Sequence, residues 1–169
     1  VIRRGVAAAA MFLIPGYAAA WAFDTHSDEM GRGETKIASV RSLNAVKFGF
    51  PYAGDQSARL HFRVRPGGAV EALLEIDRGQ FNCGSSGCQV AIRLDERKAF
   101  SLHAMPPADH QTGVIFISGA SQLLDQLRHA KALRLEARFY QDGARVFDFD
   151  VADLGAWPKK QSPTPSAKK

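Results

Sequence analysis

Apolar and polar residues alternate with a period of two from Val46 to Val151, which predicts a chain of short β-strands. Val46, Phe48 and Phe50 alternate with Lys47 and Gly49, and the run stops at Pro51. Leu60, Phe62 and Val64 alternate with Arg59, His61, Arg63 and Arg65, giving one apolar face and one basic face. Pro66-Gly67-Gly68 is turn chemistry. Beyond it Val70, Ala72, Leu74 and Ile76 share a face, with Glu71, Leu73, Glu75 and Asp77 on the other. Further strands are predicted at 90–94, 100–102, 133–139 and 147–151. Val114 to Ile117 is apolar throughout, as a central strand covered on both faces would be. Ala120, Leu123, Leu124, Leu127 and Ala130 instead fall at helical spacing, predicting one amphipathic helix over about 118–131, capped by Ser118 or Ser121.

About eight strands and one helix that do not alternate along the chain exclude an α/β fold and predict a mainly β protein, an antiparallel β-sandwich. Residues 21–38, polar and carrying Gly31 and Gly33, read as a loose lead-in, which puts the sandwich domain at 39–157. In the charged hairpin one register sets Arg65, His61 and Arg59 opposite Glu71, Glu75 and Asp77. A shift of two residues sets Arg63 opposite Glu71 and Arg59 opposite Glu75. A shift of one sets charged rows against apolar ones, which burial forbids.

Ahead of this body, Arg3 and Arg4 precede an apolar run from Gly5 to Ala20, the pattern of a secretory signal peptide over residues 1–20. Ala18 and Ala20 place cleavage before Trp21, and Pro15 within so short a run disfavours a permanent membrane span. At the other end, residues 158–169 are Pro-rich, free of acids and hold four lysines, which reads as a disordered basic tail. These two ends change the meaning of the net charge of +5. Between them 16 basic residues stand against 17 acidic ones, so the body has no basic field and nucleic acid is not an expected partner. With 169 residues, 46% of them hydrophobic and only 2 cysteines, the composition suits one packed domain and excludes collagen-like and disulfide-dense scaffolds.

Candidate chemistry is sparse. Cys83-Gly-Ser-Ser-Gly-Cys88 brackets a turn, and in an oxidising compartment the simplest reading is a structural disulfide. The spacing is wrong for a redox C-x-x-C, and no histidine lies near enough in sequence to suggest zinc. Ser101, His103, Asp109 and His110 cluster locally, but no G-x-S-x-G elbow accompanies them, and ordinary surface histidines are the expectation. The basic stripe Arg59, His61, Arg63, Arg65 is expected to be neutralised by Glu71, Glu75 and Asp77 on the next strand. Phe50, Pro51 and Tyr52 form a possible contact patch, against which stands a tyrosine that closes the end of the core.

Several stretches together resemble a family of secreted proteobacterial β-domain proteins. They are Trp21 with Met30, Asn44 to Phe50, Phe50-Pro51-Tyr52, Gly79-Gln80-Phe81-x-Cys83, Cys88 to Asp95, and Phe147-Asp148-Phe149-Asp150-Val151 with Leu154. The strand–Cys–Gly–Cys–strand segment followed by a helix is also similar to invasion-associated locus B proteins and to periplasmic accessory proteins of type VI secretion. The resemblance implies fold and compartment and no catalytic residue. The resulting expectation is a non-enzymatic periplasmic or secreted protein that binds a protein or envelope component. It needs no cofactor or metal, and has no stable membrane span once the leader is removed. A small envelope hydrolase using the 101–110 loop, or an inhibitor of another enzyme, are the alternatives.

Overall fold

Where alternation is strict, a strand forms and buries its apolar row. The computed structural model describes residues 21–158, so the expected leader and all but Pro158 of the expected tail lie outside it. The strands are β1 (Ala22–Ser27), β2 (Glu34–Arg41), β3 (Val46–Phe48), β4 (Gly54–Gln56), β5 (Ala58–Val64), β6 (Val70–Ile76), β7 (Cys88–Leu94), β8 (Phe100–Met105), β9 (Val114–Ile117), β10 (Ala132–Phe139) and β11 (Gly143–Asp150). The helix α1 spans Ala120–Leu127. Nine strands form one antiparallel sheet in the order β1-β2-β5-β6-β9-β8-β7-β10-β11, and β3 and β4 form a small second sheet.

The architecture is mainly β and sandwich-like. A short ladder between β9 and β8, pairing Ile117 with Ala104 and Phe116 with Met105, joins the two halves of the large sheet. Both halves feed one core. Leu60 and Phe62 of β5, Leu74 of β6, Ile92 and Leu94 of β7, Leu133 and Leu135 of β10, and Phe147 and Phe149 of β11 are all essentially inaccessible. Phe139 sits where aromatic rings meet, with centroids 4.8 Å from Phe48 and 4.6 Å from Phe81.

The charged hairpin takes the register shifted by two. Arg63 faces Glu71, Arg59 faces Glu75, and Phe62 faces Ala72. The turn decides this. The Gly68 N–H donates to the Arg65 carbonyl at 2.9 Å, with Pro66 second and Gly67 third in the turn. Gly67 has φ 90°, which a type II turn requires at that place. Gly68 also adopts positive φ, and the Arg65 N–H then donates to the Ala69 carbonyl at 3.0 Å, so five residues are spent before Val64 meets Val70.

Three expectations are corrected. Residues 21–38 are not a loose lead-in: β1 and most of β2 lie there and pair antiparallel from Ala22–Ser39 to Ser27–Glu34. Every side chain of β1 is exposed, so this strand is held by its backbone ladder and leaves no hydrophobic alternation to read. The helix is also shorter than 118–131. Gly119, in the left-handed region at φ 73°, forms its N-cap without any side-chain cap, while the Ser118 N–H is spent on the His103 carbonyl at 2.8 Å. Leu123, Leu124 and Leu127 supply its buried stripe, and Ala130 is buried from the turn that follows. Finally, β9 is central but fully buried on one face only: Ile115 and Ile117 are enclosed, whereas Val114 and Phe116 are half-buried. No helix among the described residues is long and apolar enough to cross a membrane.

Asp95, just past β7, ties that strand to β10. Its carboxylate accepts the backbone N–H groups of Ala132 at 3.0 Å and Lys131 at 2.9 Å, which hold its pKa below the ordinary carboxylate range. A carboxyl depressed in the folded state stabilises it above the ordinary pKa, and this stability is lost as pH falls through the folded value. Asp95→Asn keeps an acceptor oxygen and loses the titration. Urea unfolding of this variant should therefore show a flatter decline than the parent below about pH 4.

Candidate contact surface

The residues around Phe50 are positioned by three anchors. Phe48 is buried against Phe139, the Gly49 N–H donates to the Asp142 carboxylate at 2.9 Å, and the buried Gln56 side chain donates to the Tyr52 carbonyl at 2.9 Å. Asp142 belongs to the β10–β11 turn, so the small β3–β4 sheet is fastened to that end of the sandwich. The outcome separates the two aromatics. Tyr52 is half-buried and leans on the core, closing its end, while Phe50 is 86% exposed and Pro51 is exposed beside it. Tyr140, at the same turn, is 51% exposed. An anchored hairpin thus carries a bare phenyl ring at its tip.

Cys83 and Cys88 are bonded to each other, with Cα atoms 4.9 Å apart. Closing so short a loop is worth about 2 kcal/mol in the chain-entropy model. Within the loop the Gly87 N–H donates to the Gly84 carbonyl at 2.8 Å. Cys83 lines a cleft of about 350 Å³ together with Phe81, Met105, Pro107, His110 and Thr112.

The 101–110 residues do not assemble into a hydrolytic set. Ser101 and His103 are exposed on the outer face of β8, and His103 Nε2 contacts Met105 Sδ at 3.2 Å. Asp109 accepts from the Gln111 side chain at 3.0 Å, and His110, at φ 60°, closes the same turn by donating its N–H to the Pro107 carbonyl at 3.1 Å. The basic stripe is met by Glu71 and Glu75 as expected, with Arg63 and Arg65 sharing the Glu71 carboxylate at 2.5 and 3.1 Å and Arg59 lying 3.8 Å from Glu75. Asp77 departs from the expectation and pairs with Arg41 of β2 instead.

One constellation escapes the sequence. On the outer face, Ser39 Oγ meets His61 Nδ1 at 2.9 Å, and His61 Nε2 meets Glu75 Oε2 at 2.9 Å. A hydroxyl, an imidazole and a carboxylate in line have the composition of a catalytic triad. Their setting differs from one. Ser39 lies mid-strand in β2, paired with β1 on one side and β5 on the other, so its neighbouring N–H groups are engaged in ladders instead of converging on an oxyanion. The row acts as a polar cross-strand brace. Its only sequence signal was the polar alternation of the two hairpins, and β2 had to be recognised before Ser39 could join it. Among the described residues no cluster of three or more His, Cys, Asp or Glu is arranged to hold a metal ion.

No family model matches the chain, and no curated protein matches it. The structure is similar to the crystal structure of invasion associated protein B from Bartonella henselae, with a TM-score of 0.43 and 14% sequence identity over 78% of this chain and 83% of that one.

Proposed function

We propose that this chain is a non-enzymatic binding or accessory protein of the bacterial envelope, periplasmic or secreted, and that it meets a protein or envelope component through the aromatic tip at Phe50. The observation that carries this reading is the 86% exposure of Phe50 on a hairpin fastened through Phe48, Gly49 and Gln56. A large ring held in water forgoes about 1.5–3 kcal/mol of burial, which a partner recovers on contact. Anchoring limits the ordering entropy that binding costs. The Arg3-Arg4 leader pattern with Ala18 and Ala20, and the bonded Cys83–Cys88 pair, support the compartment. The scattered positions of Ser101, His103 and His110 give the hydrolase reading no support.

A photo-crosslinking side chain placed at Phe50 in the exported protein should yield a discrete adduct in living cells. The same group at Glu136, exposed on β10, should not. Phe50→Ala, in a protein without the crosslinking group, should leave the melting temperature unchanged while abolishing co-purification of the partner that the adduct identifies. Equal labelling from both positions, or none from Phe50, would remove the basis for this reading.

A further inference from the structure

The two edges of the large sheet are treated differently. At β11 the chain covers its own edge: the Leu43 N–H donates to the Asp148 carbonyl at 2.7 Å, and the Asn44 amide donates to the Val146 carbonyl at 2.9 Å and accepts the Asp148 N–H at 2.8 Å. At β1 nothing among the described residues pairs with the outer side of the strand. β1 is six residues long, exposed at every side chain, and contains no proline or lysine; its one carboxylate, Asp24, contacts the His26 imidazole of the same strand.

From this we infer that β1 is a homodimer interface, on which a second copy of the chain adds its own β1 antiparallel to continue the sheet. The side-chain order selects the partner. A two-fold axis normal to the sheet maps each face onto itself, so it must pass beside a residue and not between two. An axis at Asp24 sets two aspartates against each other. An axis at His26 sets Asp24 against Asp28 of the second copy. An axis at Thr25 sets threonine against threonine and Asp24 against His26 of the second copy, twice over. Among the axes whose pairs stay within Ala22–Ser27, that register alone sets a carboxylate opposite an imidazole that can donate to it. Within one chain His26 Nε2 already contacts Asp24 Oδ2 at 3.0 Å, so both groups lie on one face as the pairing requires. The same register puts Phe23, 50% exposed and 6.2 Å from the Trp157 ring, opposite the small Ser27 side chain of the second copy. The interface uses a different surface from the Phe50 tip and does not depend on that tip's role.

Cysteine crosslinking tests the axis. In the proposed dimer the two copies of residue 25 face each other at about 4.5–5.5 Å between Cα atoms, within disulfide reach. Two copies of residue 27 are four positions apart, roughly 13 Å. Thr25→Cys, oxidised mildly at a concentration where sedimentation shows dimer, should give a reducible covalent dimer several-fold more abundant than Ser27→Cys does. The unmodified protein should sediment as a concentration-dependent monomer–dimer mixture, and Asp24→His should shift it toward monomer until His26→Asp is added. An unmodified protein that stays monomeric to millimolar concentration overturns the proposal. So does equal crosslinking at residues 25 and 27. An extended peptide partner on this edge would give the first of those outcomes.

Discussion

Phe62→Ala is expected to lower the free energy of unfolding by about 3–5 kcal/mol, while Arg63→Ala, one residue away, lowers it by less than about 1 kcal/mol. Phe62 is completely inaccessible, and its ring lies 6.3 Å from that of Trp21. Its cross-strand neighbours are Ala38 on β2 and Ala72 on β6, side chains too short to collapse into the space a removed ring leaves. The cavity therefore persists, which puts this site toward the costly end of the range. Arg63 points the other way. It shares Glu71 with Arg65, so its loss leaves that carboxylate still paired, in surroundings open enough for water to screen it. Equilibrium denaturation of both variants measures the contrast directly. Equal losses would show that the inner and outer faces of the hairpin have been assigned wrongly.

Gly87→Ala should cost about 2–6 kcal/mol, although it adds one methyl group to a half-buried turn. A Cβ at this position meets the His103 imidazole at 2.4 Å and the Ala104 carbonyl oxygen at 2.6 Å, on a backbone whose φ of 86° already disfavours any side chain. The imidazole can rotate away. The carbonyl is fixed, because Ala104 is paired with Cys88 on one side and Ile117 on the other. Adding His103→Ala should accordingly recover only part of the loss. Gly84→Ala, at the start of the same turn, meets nothing within 4 Å at ordinary φ and should be nearly neutral. Thermal melts of the three variants separate the two contributions. A Gly87→Ala protein as stable as the parent would mean that the disulfide loop does not lie against β8.

What could be read from the sequence followed the hydrophobic effect. The apolar rows of β5, β6, β7, β10 and β11 alternate because each strand buries one face, and so the sandwich-like class was legible without coordinates. The Cys83–Cys88 bond was legible from its spacing and from the compartment that the leader pattern leads one to expect. β1 was hidden because backbone hydrogen bonds carry no sequence pattern when no side chain is buried. β4 was hidden by its brevity, at three residues. The hairpin register stayed ambiguous because both even shifts preserve the same apolar face, and only the number of residues consumed by the turn at Gly67 and Gly68 distinguishes them. The Phe50-Pro51-Tyr52 segment was visible as aromatic, but the division of labour between its two rings depends on Phe48, Gly49 and Gln56 reaching distant partners. The Ser39–His61–Glu75 row joins three strands and shows itself only once they are in register.

The bonds from Leu43 and Asn44 to β11 also impose an order on the chain's assembly. They join residues more than a hundred positions apart, with Asn44 reaching Val146 and Asp148. A polypeptide emerging from a ribosome or a translocation channel presents its β2–β3 junction long before Asp148 follows. The N-terminal hairpins have local partners and can pair early, but the far rim of the sheet cannot be sealed until almost every described residue has emerged. Such distant pairings carry a large loop-closure entropy and make folding slow. The interval before closure leaves the inner rows of β5 and β6 without their facing layer, a period during which a chaperone would have the most to cover.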